Sequence, residues 1–521
     1  MARGRLWGVG LGPGDPELVT VKAARLVGAA DVLAFHSGPH GRSIARRIAD
    51  PYVRDGQIEE PLVYPVTTGT TAHPDGYEGA VRDFYDEVAV RLAGHLDAGR
   101  DVVVLCEGDP MFYGSYMYTH ERLAGRYETQ VVPGVTSVSA AAAALGRPLV
   151  ERDEVLTILP GTLPRAELAR RLADTDSAAV LKLGRTFGTV SGAIEDAGRG
   201  PSAWYVERAS TPDQRTTALR DVDPQTVPYF SLALLPSPTG QRSMGQSAIG
   251  AVVPEPLSGN GLAPPCAPGE VVVVGLGPGE EGWLTPQAKR ELERADHLVG
   301  YRTYLDRVPV RSGQTRHASG NTVEADRADH ALALAASGAR VAVVSSGDPG
   351  VFAMAAAVVE QAADERWAAV GVRVVPGLTA AQAVASRVGA PLGHDYAVVS
   401  LSDRLKPWDV IERRLDALAA ADLAIAIYNP ASRSRTWQVE AAQQVLLRHR
   451  QATTPVVVGR DVGGPAETVR VVTLGDLDPS SIDMRCLLII GSSTTQVLAR
   501  PGVNGDPGQP LVLTPRHYPS T

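Results

Sequence analysis

The chain states one pattern twice. Gly10-Leu11-Gly12-Pro13-Gly14 follows an apolar start, and Gly275-Leu276-Gly277-Pro278-Gly279 follows Val271-Val272-Val273-Val274. Gly108-Asp109-Pro110 returns as Gly347-Asp348-Pro349, and Pro133-Gly134-Val135-Thr136 as Pro376-Gly377-Leu378-Thr379. Gly146-Arg147-Pro148-Leu149 returns as Gly389-Ala390-Pro391-Leu392. The order is the same in both series, and the offsets differ only by loop-sized insertions. The chain is therefore a tandem duplication. Its period is far longer than that of a solenoid or propeller, so each copy is a complete unit.

Residues 238–268 divide the copies. They are rich in Pro, Gly and Ser without a sustained apolar period, a composition that buries too little surface to offset its ordering entropy. The expected organisation is a first copy over 4–237, a flexible linker over 238–268, a second copy over 269–498 and a loose C-terminal tail over 499–521. Within each copy short β-branched runs alternate with longer alanine-rich stretches of helical period. Runs such as Val102-Val103-Val104-Leu105 are apolar on both faces, as in sheets covered on both sides. The fold class is α/β. Breaks near residues 146–153 and 389–395 divide each copy into two α/β lobes with an interdomain cleft.

Composition narrows the function. Hydrophobic content of 44% and charged content of 21% over 521 residues fit a soluble globular chain. No apolar run reaches the ~18 residues that would span a bilayer, and the start lacks a signal-peptide core; no membrane partner is expected. Cys106, Cys266 and Cys486 are scattered without metal-ligand spacing, which reads as reduced thiols in a cytoplasmic protein and no metal. A net charge of −8 provides no footprint for nucleic acid. An anionic ligand would have to be met by local arginines.

Each glycine landmark falls at the carboxyl end of an expected strand, where open parallel sheets place ligands. The dinucleotide fingerprint G-x-G-x-x-G is not matched: the spacing is G-x-G-x-G, and Pro13 and Pro278 remove an N–H where a phosphate would need one. Asp31 and Asp296 stand at about the distance of the ribose-binding acid in that fingerprint. A nicotinamide-dependent oxidoreductase therefore stays as the alternative. Asp109 and Asp348 also read as caps of a following helix, with proline at its first position.

Gly-Leu-Gly-Pro-Gly, then Gly-Asp-Pro, then Pro-Gly-Val-Thr, in this order in each copy, resembles the tetrapyrrole (corrin/porphyrin) methylase family. The first copy, with Cys106-Glu107-Gly108-Asp109-Pro110-Met111-Phe112-Tyr113-Gly114-Ser115, is similar to precorrin-2 C(20)-methyltransferases. The second carries Gly300-Tyr301-Arg302-Thr303-Tyr304-Leu305, Ser345-Ser346-Gly347-Asp348-Pro349-Gly350-Val351, Tyr428-Asn429-Pro430-Ala431-Ser432 and Gly459-Arg460-Asp461-Val462. That set is similar to precorrin-3B C(17)-methyltransferases, which contract the ring.

The resemblance implies a bifunctional S-adenosylmethionine-dependent C-methyltransferase of corrin-ring (cobalamin) biosynthesis. Its substrates would be precorrin-2 and precorrin-3B or their cobalt-bearing equivalents, with one methyl donor per copy. Relatives commonly dimerise, so a homodimer or an internal pairing of the fused copies is implied. Carried over position by position, the donor site of the first copy would use Pro13, Glu107, Gly108, Asp109, Phe112, Thr136, Ser137 and Leu183. In the second copy the matches are Pro278, Ser346, Gly347, Asp348, Val351, Thr379, Ala380 and Asn429. Ala209 stands where many relatives have glycine.

A methyl sulfonium is already electrophilic and a reduced tetrapyrrole is an electron-rich carbon nucleophile. Positioning alone then suffices for much of the catalysis, which explains why no triad or metal site is visible. Ring contraction adds proton transfers, for which Tyr301, Tyr304, His317 and Tyr428 are the candidates. Substrate carboxylates call for arginine. Arg302 and Arg433 lie within the matched motifs and are assigned to substrate; Arg42, Arg46, Arg47 and Arg435 are the neighbouring options.

Overall fold

A computed structural model describes residues 3–38, 41, 43–65, 73–150, 154–237, 269–279, 281–320, 323–404, 406–432, 435–499 and 510–515. The first lobe of the first copy is a parallel sheet of β1 (Leu6–Gly10), β2 (Val32–Ser37), β3 (Ile58–Val63), β4 (Val102–Cys106) and β5 (Thr129–Val132), in the order β3-β2-β4-β1-β5. The second lobe holds β6 (Leu156–Pro160), β7 (Ser177–Leu181), β8 (Trp204–Glu207), β9 (Arg215–Ala218) and β10 (Ser231–Leu235). In the second copy the first lobe repeats the topology with β11 (Glu270–Gly275), β12 (His297–Tyr301), β13 (Thr315–Ser319), β14 (Arg340–Ser345) and β15 (Gly371–Val375), ordered β13-β12-β14-β11-β15. After a two-residue strand β16 (Gly389–Ala390), its second lobe has β17 (Tyr396–Ser400), β18 (Ala424–Tyr428), β19 (Pro455–Arg460), β20 (Thr468–Thr473) and β21 (Cys486–Ile490).

The two second lobes are one sheet. β6 of the first copy pairs antiparallel with β17 of the second, Thr157 opposite Ala397, Tyr396 opposite Ile158 and Val398 opposite Leu156. This pairing makes a continuous sheet of 10 strands, β20-β19-β21-β18-β17-β6-β7-β10-β8-β9. Each copy covers an edge that the other would otherwise expose, which removes a pairing liability from both. A single apolar core crosses the junction, with Val138, Leu149, Leu156 and Ile158 packed in the same cluster as Leu378, Val384, Tyr396 and Val457. The internal repeat thus folds as a pseudo-twofold pair.

The helix that follows the Pro-Gly-x-Thr turn, Ser137–Leu145 in the first copy and Ala380–Val388 in the second, ends each first lobe. The polypeptide then crosses to the second. Part of the stretch expected to be a loose tail is instead ordered. β23 (Leu511–Leu513) lies between β16 and β22 (Gln496–Leu498) in a small third type of sheet, its Val512 almost completely buried. The expected linker lies outside the described residues. Among the described residues no helix is long and apolar enough to cross a membrane.

Candidate functional site

The three glycine turns of each first lobe are held together by main chain and one carboxylate. Gly12 N–H donates to the Gly108 carbonyl at 3.3 Å and Gly108 N–H returns to the Gly12 carbonyl at 2.8 Å. Gly277 and Gly347 repeat the exchange at 3.2 and 3.0 Å. Asp109 is buried; its Oδ1 accepts from Met111 N at 2.9 Å and its Oδ2 from Gly134 N at 3.1 Å. Asp348 accepts from Gly350 N at 2.8 Å and from Gly377 N at 3.1 Å. The expected role of Asp109 and Asp348 as caps of a following helix is corrected here. The next helices begin only at Tyr116 and Met354, and each carboxylate instead staples the Gly-Asp-Pro turn to the Pro-Gly-x-Thr turn.

Burial pushes both carboxyls up to about 6, against the pull of the main-chain donors. The requirement for glycine here is steric. A Cβ on Gly134 would sit 2.0 Å from the Gly108 carbonyl oxygen, and one on Gly377 2.4 Å from that of Gly347. Gly108 is different: its φ is +68° and nothing lies within 4 Å of where its Cβ would be, so its backbone faces open space at the carboxyl end of β4. Gly347, at φ +66°, has only the Leu378 carbonyl near, at 3.7 Å. These are cradles in which main chain, not a side chain, meets whatever enters.

The remaining expected donor residues gather around these cradles. Thr136 caps its helix by accepting from Ser139 N at 3.3 Å, and Thr379 forms a capping box with Gln382. Ser137 and Ala380 are the first helical residues. Pro13 is buried and Pro278 half-buried in the first turns. The following glycine of each touches the second lobe, since a Cβ on Gly14 would lie 2.3 Å from the Thr211 methyl and one on Gly279 2.7 Å from Gly463. Phe112 stands edge-on to Tyr113, ring centroids 5.1 Å apart. Val351 is buried, and Asn429 is exposed at φ +48° with its amide donating to Ser400 Oγ at 3.1 Å. Leu183 has its side chain fully buried in the second-lobe core, away from the glycine turns of the first lobe. Lys182 before it, at φ +61°, occupies the strand-end position that matches Asn429.

Charge differs between the copies at one matched position. Burial raises Glu107 to about 7 despite Arg47 nearby, and its counterpart is Ser346. There Arg307, which no sequence signal marked, donates to Ser346 Oγ at 3.3 Å and to the carbonyls of Leu276 and Gly277 at 3.0 and 2.9 Å. Among the residues assigned to substrate, Arg302 is exposed at the carboxyl end of β12, and Arg433 lies outside the described residues, as does Arg42. Arg435 is corrected to a structural role: it is buried and donates to the carbonyls of Leu401 and Asn429 at 3.1 and 3.0 Å. Arg46 pairs with Asp50 and Glu59 on the surface.

Of the acid–base candidates, Tyr428 lies at the second copy's crevice, its hydroxyl accepting from Ala381 N at 3.0 Å and raised by burial to about 12. Tyr301 and Tyr304 form an edge-on pair at 5.2 Å. His317 sits on the edge strand β13 between His297 and His330, 3.0 Å from each.

The site is thus a duplicated, glycine-lined crevice at the carboxyl ends of a parallel sheet, the architecture of a small-molecule-binding α/β enzyme. The sequence matches the tetrapyrrole (corrin/porphyrin) methylases over residues 5–222 and again over 270–478, and the chain belongs to that family. It is 60% identical to the cobalamin biosynthesis protein CobIJ of Mycobacterium bovis, over 99% of this chain and 97% of that protein. Its parts resemble separate proteins of a Sinorhizobium species. A precorrin-2 C(20)-methyltransferase is 46% identical over 45% of this chain and 95% of its own length. A precorrin-3B C(17)-methyltransferase is 48% identical over 48% of this chain and 97% of its own length.

Proposed function

We propose that the chain is a bifunctional S-adenosylmethionine-dependent C-methyltransferase of corrin-ring biosynthesis. The first copy methylates precorrin-2 at C-20; the second methylates precorrin-3B at C-17 with ring contraction. The observation that carries this reading is the doubled main-chain cradle at Gly108 and Gly347, each open where a Cβ would be and each stapled by a buried aspartate. Full-length similarity to a fused relative and half-length similarity to two methyltransferases support the assignment of substrates.

The donor brings a methyl group already activated on sulfur. The protein's task is alignment: holding acceptor carbon and methyl about 3–3.5 Å apart and in line removes roughly 7–11 kcal/mol of barrier. The Gly12–Gly108 and Gly277–Gly347 exchanges fix the loop edges, and Asp109 and Asp348 lock the floor. Thr136, Ser137, Thr379 and Ala380 present helix N-termini beside it. Pro13, Glu107, Phe112, Leu183, Pro278, Ser346, Val351 and Asn429 complete the proposed contacts. Arg302 and Arg433 are proposed to meet acceptor carboxylates, and Tyr428, whose hydroxyl accepts from Ala381 N–H, braces the wall of the second crevice. We place the enzyme in the cytoplasm, with the edge-to-edge second lobes serving internally the pairing that a homodimer would supply.

The test is incubation with precorrin-2 and a carbon-13-labelled donor, with NMR location of the new methyl. Label at C-20 is expected, and with precorrin-3B label at C-17. Hydride transfer to a nicotinamide without methylation would overturn the reading in favour of the oxidoreductase alternative.

A further inference from the structure

The two crevices differ in what holds their lobes together, and the difference reaches across the copies. In the first copy Tyr113 follows Phe112 in the first lobe and Lys182 precedes Leu183 in the second. Both are non-glycine residues at positive φ, +53° and +61°, a conformation that surrounding contacts must enforce. The Lys182 ammonium lies 5.0 Å from the centre of the Tyr113 ring, which joins the two lobes of the first copy by a cation–π contact.

The anchor for this clasp comes from the second copy. Asp395, at the start of β17 and 1% exposed, accepts from the Tyr113 hydroxyl at 3.3 Å. Its other oxygen takes Arg171 of the first copy at 2.8 Å, and His394 stands 3.5 Å away. Lys182 also acts on this carboxylate through its charge. Next along the chain, Tyr396 braces Phe112 edge-on at 5.6 Å. A carboxylate this deep is tolerated only when paired, so Arg171, Tyr113 and Asp395 form one unit.

Among the described residues this charged clasp runs one way, although the first copy reaches the second copy's turn by other bonds, Leu149 and Val150 N–H each donating to the Gly350 carbonyl at 3.2 Å. Thr157 and Ala397 face each other at the pseudo-twofold, which puts Val155 where the second copy has Asp395, and Val155 has no polar side chain to offer. The second copy closes its own lobes from within. Phe352, at φ +51°, lies 5.4 Å from the Tyr428 ring, and Asn429 is held by Ser400 and Arg435. The reverse ion pair, Arg414 of the second copy with Asp176 of the first, ends on a carboxylate that receives Val155 N.

From this geometry we infer that Asp395, carried by the second copy, is a positioning residue for the donor crevice of the first. It acts through Tyr113 and Lys182, whose backbone flanks Phe112 and Leu183. The inference rests on the donor occupying those crevices. The methylation assays of the unaltered chain test that reading separately, because they do not involve Asp395.

The experiment uses the full chain with Asp395→Asn and Tyr113→Phe, each assayed for C-20 methylation of precorrin-2 and C-17 methylation of precorrin-3B over a range of donor concentrations. For Asp395→Asn the donor KM of the C-20 reaction should rise about tenfold, with kcat changed less than about threefold and the C-17 reaction within about twofold. Tyr113→Phe keeps the ring under Lys182 and removes only the hydroxyl; its C-20 donor KM should rise about threefold. Titration with S-adenosylhomocysteine should show one of two sites weakened. A residue that merely supported its own strand would damage C-17 methylation first. Equal losses in both reactions, a larger loss at C-17, or no change in either with Tyr113→Phe would overturn the inference, and the last applies even if Asp395→Asn fails to fold.

Discussion

The two copies keep the same floor and differ in the walls. Gly12–Gly108 with Asp109, and Gly277–Gly347 with Asp348, agree to within 0.2 Å or less in every matched hydrogen bond of the cradle. The walls diverge. A half-buried glutamate, Glu107, stands where the other copy has Ser346 tied to Arg307. An ionic clasp of Lys182, Tyr113 and Asp395 stands where the other has Phe352 on Tyr428. On the proposed reading, common chemistry, gripping one donor, falls to main chain, which substitution alters little. Distinct chemistry, two acceptors, would then fall to side chains that were free to drift. Function inherited by duplication is therefore most visible in backbone geometry.

The comparison breaks hardest at the shared floor. Gly134→Ala forces a Cβ against the Gly108 carbonyl and Gly377→Ala against that of Gly347. Overpacking of this kind costs up to about 3 kcal/mol, or roughly 100-fold in rate if it falls on the aligned state. Gly134→Ala should abolish most C-20 methylation and Gly377→Ala most C-17 methylation, each sparing the other reaction by at least about tenfold. Equal damage from either substitution would show that the crevices do not work as separate sites.

A smaller effect sharpens the difference in walls. Tyr428→Phe removes the acceptor for Ala381 N–H, worth about 1 kcal/mol, so the donor KM of the C-17 reaction should rise about fivefold while that of C-20 stays put. A matching rise at C-20 would contradict the self-contained wall assigned to the second copy.

The smallest effect is in stability against pH. Burial holds Glu107 near 7, above its ordinary value of 4.5, so the folded protein favours the protonated form. The stability this group contributes is present below its ordinary range and is lost as pH rises through about 7. Glu107→Gln removes that loss. Its Tm should match the unaltered chain near pH 4.5 and exceed it by a few degrees at most at pH 8, whereas Ser346→Ala should show no such divergence. A Glu107→Gln advantage that shrinks with rising pH would reverse the assignment.

Much of this was legible beforehand because it was written twice. Repetition turned Gly10, Gly108 and Gly134, each unremarkable alone, into a joint constraint, and the apolar runs Val102–Cys106 and Glu270–Gly275 announced the buried central strands. Ile58–Val63, Thr315–Ser319, Arg215–Ala218 and Thr468–Thr473 are strands that the sequence announces far less clearly. They lie at sheet edges, where few side chains are fully buried, so the apolar signal is short and weak, and only Thr468–Thr473, with Val469 and Val471 packed on the core, carries a period of two. Leu511–Leu513 is too short, and too surrounded by Pro and Gly, to stand out. Arg307 escaped because its partners are carbonyls, which leave no trace in the residue pattern. Asp395 escaped because its meaning depends on β6 lying beside β17, and no local propensity encodes that neighbour. Gln382, which donates across the copies to the Gly134 carbonyl at 3.1 Å, was hidden for the same reason. The same contact region holds Ser139 of the first copy hydrogen-bonded to Asp348 of the second, so the two floors stand back to back.

Calorimetric titration of the unaltered chain with S-adenosylhomocysteine addresses most directly the claim that duplication preserved two working cradles. A stoichiometry of two per chain is the predicted result, reduced to one by Gly134→Ala or by Gly377→Ala. A stoichiometry near one in the unaltered chain, insensitive to one of those substitutions, would contradict it.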